Sequence, residues 1–122
     1  MNKKKVTDLL LVAKESLIKT GLAENGQIDG ALRGDISTFG ASVVMTSLPA
    51  AVAFFIYQGN PTTPRNKLLR AVFYCVTGEM TPEDDMDVLQ DYVCTHNSAA
   101  LKEKVMNATI AIKLAMHYFE LV

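Results

Sequence analysis

Apolar positions recur along most of this chain at steps of three and four residues, which is the period of an α-helix with one buried face. Val6, Leu9, Leu10, Ala13, Leu17 and Ile18 form the first such stripe, with Lys4, Asp8, Glu15 and Lys19 opposite, and Gly21 stops it. The Lys4/Asp8 and Glu15/Lys19 pairs, four apart, would each add about 0.2–0.5 kcal/mol. Ala23 to Gly26 predicts a turn. From Gln27 to Met45 a second helix is expected, with Leu32, Ile36, Phe39 and Val43 on its inner stripe. Leu48 to Tyr57 carries no charge, starts with a proline suited to a first helical turn, and ends against Gln58-Gly59-Asn60-Pro61. A helix apolar on all sides must be covered on all sides, so this run is expected to be the buried central helix.

The remaining elements follow the same logic. Thr62-Thr63-Pro64 supplies a cap and a first-turn proline for a helix over Arg65 to Val76. Thr81-Pro82-Glu83-Asp84 repeats the device before a helix carrying Met86, Val88, Leu89, Tyr92 and Val93 and ending near His96-Asn97. Asn97 or Ser98 opens the last helix, with Leu101, Val105, Ala108, Ile112, Ala115 and Phe119 as its seam and Tyr118 and Leu121 widening it. No segment alternates apolar and polar residues as a half-buried strand would. The pattern predicts an all-α fold: residues 1–122 as a single helical domain, a compact bundle of about six helices.

Composition narrows the function classes. At 122 residues with a net charge of −1, the chain is large enough for one core and too nearly neutral for a strong electrostatic nucleic-acid binder acting alone. Any RNA contact has to come from a local patch. The uncharged run falls well short of the roughly 20 residues a membrane span needs, so no membrane association is expected. The basic start at Lys3-Lys4-Lys5 is not followed by an uninterrupted apolar region, because Asp8, Lys14 and Glu15 intervene; no export signal is expected. Two cysteines, Cys75 and Cys94, do not form a disulfide framework and fit a cytoplasmic protein with reduced thiols.

Candidate chemistry is sparse. Cys94-Thr95-His96 is the only local pair of soft metal ligands, and a tetrahedral zinc site draws on spaced pairs. The acidic cluster Glu83, Asp84, Asp85, Asp87 and Asp91 lacks the glycine-turn spacing of a calcium loop and reads as a charged helix start. No phosphate-cradling loop is present, since Gly26, Gly30 and Gly34 are not followed by Gly-Lys-Ser or Gly-Lys-Thr. These features predict a chain that is not an enzyme and holds no cofactor or metal.

Two kinds of surface stand out instead. Gly30, Gly34, Ser37 and Ala41 form a small-residue stripe that lets a neighbour approach the backbone, whether a helix of the same chain, another subunit or a nucleic-acid backbone. Two helical glycines cost roughly 1 kcal/mol each relative to alanine, which a packed neighbour would offset. Thr63, Lys67, Arg70, Tyr74 and Thr77 share one helix face with Arg65 beside its start, and Lys102, Thr109, Lys113 and His117 share another with Lys104 adjacent. Such cations with a flanking tyrosine suit phosphate and base contact, or are simply solvated helix faces. Arg33, one turn after Asp29, is equally an ordinary ion-pair partner.

Gly34 to Leu48, running into Ala50-Ala51-Val52-Ala53-Phe54-Phe55, resembles the signature helix pair of the small subunit of the Cmr complex, the type III-B CRISPR RAMP effector. The similarity continues through Lys67 to Tyr74 and Ala108 to Ala115. The resemblance implies a non-catalytic helical subunit acting in antiviral defence. Its copies stack beside the RAMP-fold backbone subunits and the large subunit and help accommodate the guide RNA–target RNA duplex. By that resemblance Arg33, Lys67, Arg70, Lys102, Lys104 and Lys113 become RNA-binding candidates, with Arg65 added as the cation beside the same stripe; Gly30, Gly34, Ser37 and Ala41 are partner-binding candidates from their small-residue spacing. The near-neutral charge departs from this pattern and shifts weight toward protein contacts. A small helical adaptor or homo-oligomer with no nucleic-acid role is the alternative.

Overall fold

Asn2 opens α1 (Lys3–Lys19), its side chain accepting a hydrogen bond from the Lys5 N–H and so satisfying one of the amides the first turn leaves open. The computed structural model describes residues 2–56, 63–82 and 86–122. The expected helix stop at Gln58 to Pro61, the Thr62 position and the Glu83–Asp85 cluster lie outside these. Val6, Ala13 and Leu17 turn inward from α1. After Gly21 the expected plain turn is instead a hairpin: β1 (Ala23–Glu24) pairs antiparallel with β2 (Gln27–Ile28). Asn25 and Gly26 both take positive φ, 54° and 76°, the combination whose twist suits a two-residue connection. An L side chain at Gly26 would be strained, so Gly26→Ala is expected to lower stability by about 1–2 kcal/mol in urea unfolding. A change within 0.3 kcal/mol would show that the hairpin does not hold this turn.

The second helix therefore begins later than the pattern predicts. Gln27 and Ile28 are extended, Gly30 sits in a turn, and α2 spans Leu32–Met45. The cause lies far along the chain. The last helix, α6 (Ala99–Ala115), does not run on to Leu121; a 3-10 turn at Met116–Tyr118 redirects it into β3 (Glu120–Leu121), parallel to β2. The Glu120 N–H donates to the Gly26 carbonyl at 2.8 Å, Val122 N–H to Ile28 at 2.9 Å, and Gly30 N–H to Val122 at 3.0 Å. The open edge of the hairpin thus finds partners that a longer α6 could not have given it.

Ser47 caps α3 (Leu48–Phe55) by accepting from the Ala50 N–H, with Pro49 in the first turn. This helix packs against α2, α4 (Pro64–Thr77) and α5 (Asp87–Thr95), but it is not enclosed. Leu48, Ala51, Val52 and Phe55 are buried while Ala50 and Ala53 are exposed and Phe54 is 70 % exposed. The expectation of a fully covered central helix is thereby corrected: the run is apolar by composition, yet two of its outward residues are alanines with little area to hide. The central element is α6, which packs against α1, α2 and α4 and buries Leu101, Val105, Ala108, Ala111, Ile112 and Ala115 while Glu103, Lys104 and Leu114 stay exposed. Its alanines let three helices close on one axis. Among the described residues there are six α-helices and one small sheet, ordered β1-β2-β3, and none of the helices is long and apolar enough to cross a membrane.

Candidate functional site

The α4 stripe does not survive folding as one surface. Thr63 caps α4 through the Asn66 N–H, and Pro64 follows it, as the sequence predicts. Arg70, however, is only 6 % exposed, and its Nε donates to the Thr81 carbonyl at 2.7 Å. It ties α4 to the segment entering α5, and its side chain is almost wholly removed from solvent. Tyr74 is engaged as well: its hydroxyl donates to Glu15 Oε1 and accepts from Lys19 Nζ, both at 3.0 Å, while Glu15 and Lys19 pair at 2.9 Å. Hydrogen bonds from Lys19 and Tyr74 hold the Glu15 carboxyl below its ordinary value, and Tyr74 with Glu15 raises Lys19. Arg65 lies 4.5 Å over the Phe55 ring. Lys67 reaches the hairpin, with its Nζ near Gly21 and with Glu24 and Asp29 lining the same depression.

Other cations gather where the sequence does not place them together. Asn2 N–H donates to Asn107 Oδ1, fastening the start of α1 against α6. That contact sets Lys5 and Lys104 on the rim of one hollow, with Asp8 and Asn107, and Lys3 and Lys4 are exposed on the same turn of α1. The run Lys3-Lys4-Lys5 was legible only as a basic start; its neighbour Lys104 comes from a distant helix.

Between α2 and α6 lies a groove of about 450 Å³. From α2 it is lined by Ile36, Ser37, Gly40, Ala41, Val44 and Met45, and from α6 by Met106, Thr109, Ile110 and Lys113. Lys113 Nζ donates to Ser37 Oγ at 2.6 Å, and a Cβ on Gly40 would lie 3.8 Å from Thr109 Oγ1 and 3.9 Å from Met106 Cε. Contacts at 37 with 113 and at 40 with 109 and 106 show that the two helices run antiparallel.

The small-residue stripe is thus divided. Gly30 is outside α2 and covered by Val122 and Leu121. Gly34 is exposed with nothing near it, and the close approach of a helix occurs at Gly40. Ser37 and Ala41 line the groove. Val44 and Met45, 60 % and 83 % exposed, complete it and were missed by the inner-stripe reading. Their signal was an apolar surplus on the helix face opposite Phe39. Arg33 is exposed one turn before Ser37, and Lys102, half-buried, is one turn before Met106.

The possible metal ligands do not converge: among the described residues no three His, Cys, Asp or Glu side chains form a set. Exposed Cys94 receives a hydrogen bond from Gln90 Nε2, and the His96 ring stacks on Tyr92 at 4.5 Å. Burial pushes the Cys75 thiol up to about 11, against a hydrogen bond to Ser16 Oγ at 3.8 Å. In comparison with known proteins, no family model, no curated protein and no solved structure matches this chain.

Proposed function

We propose that this chain is a non-catalytic small subunit of a type III-B CRISPR RNA–protein effector, docking on protein partners and helping to accommodate the guide–target duplex. The reading rests on the resemblance carried by Gly34 to Phe55. Its principal support in the fold is that this stretch forms two adjacent helices, α2 and α3, whose outer side presents small and apolar residues. Protein contact falls to the α2/α6 groove. Phosphate contact falls to the Lys5/Lys104 rim with Lys3 and Lys4, which concentrates cations that the whole-chain charge conceals. Such contacts read no bases, which suits an assembly in which guide pairing supplies specificity.

The test is reconstitution with RAMP-fold backbone subunits and guide RNA. Lys5→Glu combined with Lys104→Glu is expected to leave assembly intact and weaken target-RNA capture about tenfold, with the difference shrinking as salt rises. Unchanged capture removes the RNA-facing assignment. Failure of the wild-type chain to enter the assembly at all removes the effector reading and leaves the adaptor alternative, which the apolar groove favours independently.

A further inference from the structure

The α2/α6 groove combines three properties that together specify an occupant. Its walls are apolar and adaptable, because Met45 and Met106 are flexible thioethers beside Val44 and Ile110. Its floor is shallow in side chain at Ser37, Gly40 and Ala41, so a rod can lie close to α2. Between positions 37 and 45 the α2 wall runs roughly 12 Å at 1.5 Å per residue, the reach of anchors at i, i+3 or i+4, and i+7 of a docked helix.

Charge is the third property. Lys113 lines the groove, Arg33 precedes Ser37 by one turn, Lys102 precedes Met106 by one turn with Glu103 beside it, and no carboxylate lines the groove itself among the described residues. Asp35 of α2 instead lines a different hollow with Phe54 and Arg65. A nucleic-acid backbone would meet the same few cations but would leave the apolar walls of Val44, Met45, Met106 and Ile110 uncovered, which is poor phosphate chemistry. A helix with an apolar stripe and acidic flanks matches both the bed and the cations.

We infer that this groove takes an acidic amphipathic helix of a partner protein, its apolar stripe against Val44, Met45, Met106 and Ile110 and its carboxylates against Lys113 and Arg33. This deepens the docking half of the proposed function and rests on that reading for the partner's biological setting, though not for its chemistry.

A displayed library of amphipathic helical peptides with randomised flanking charge, selected on the isolated chain and counter-selected on Ala41→Trp, tests it. Ala41 is exposed, so the substitution fills the groove without touching the core, and a thermal melt checks that the variant folds. The expected result is enrichment of peptides with net negative flanks, whose affinity falls at least tenfold on Lys113→Glu. Enrichment of neutral or basic peptides, or no groove-dependent enrichment, overturns the inference. So does displacement of the selected peptide by a 20-nucleotide RNA without matching loss to Lys5→Glu/Lys104→Glu, which would place RNA in the groove. A dimer in sedimentation that Ala41→Trp makes monomeric would assign the groove to a second copy and also sink it. Because the selection uses the chain alone, its failure beside successful effector reconstitution condemns the groove assignment only.

Discussion

Replacing Phe39 with alanine is expected to lower the unfolding free energy by about 3–5 kcal/mol, the usual cost of deleting a buried phenylalanine. Phe39 is fully buried in α2, and its ring meets Phe55 of α3 at 5.2 Å between centroids, tilted by 57°. Such an aromatic pair adds about 0.5–1.5 kcal/mol beyond its area. Deleting one ring leaves a cavity at the α2–α3 joint, where Phe55 also loses its partner. A chain of this length holds roughly 6–18 kcal/mol in total, so the loss is a large fraction of it. Urea unfolding measures it. Phe54→Ala is the matched control: 70 % exposed on the same helix as Phe55, it is expected to change stability by less than about 0.5 kcal/mol. Equal losses at 39 and 54 would restore an enclosed central helix and contradict the one-sided burial of α3.

What the sequence made legible, and what it hid, divides along the distance of the interactions involved. The starts of α3 and α4 are written locally, in Ser47-Leu48-Pro49 and Thr63-Pro64, because a cap acts within three residues. The inner stripes of α2 and α6 are likewise local periodicities. The ends of those helices are not. Asn25-Gly26 carried a hairpin signal, but two-residue strands are too short to show alternation, and the third strand arrives from Glu120. The same limit governs the candidate surfaces. A stripe of Thr63, Lys67, Arg70, Tyr74 and Thr77 has one helical phase, yet it straddles the border between core and solvent, and only the positions of Thr81 and Glu15 decide which residues face which way. The groove and the Lys5/Lys104 rim are each made by two helices distant in sequence, so periodicity within either helix could supply half of a site but never its other wall.

Arg70 is where these two levels collide, and its substitution separates them. Arg70→Ala is expected to destabilise the fold by about 2–4 kcal/mol: a hydrogen bond from a charged donor contributes roughly 1.5–3 kcal/mol, and the buried aliphatic stem contributes packing besides. Its loss strands the Thr81 carbonyl, on a residue itself buried at 8 % exposure. The melting temperature should fall by on the order of 10 °C. Arg70→Lys is expected to recover little of this, since an ammonium on a flexible stem does not reproduce the Nε donor aimed at that carbonyl. Half-exposed Lys67, one turn earlier, provides the contrast, with Lys67→Ala expected to stay within about 0.5 kcal/mol. A phosphate-contacting Arg70 predicts the reverse pattern, with the melt unchanged and target-RNA capture reduced in the assembled effector. Thermal melts of the three variants beside capture by the reconstituted complex distinguish the two, because a side chain only 6 % exposed, with its Nε on the Thr81 carbonyl, acts first on the fold.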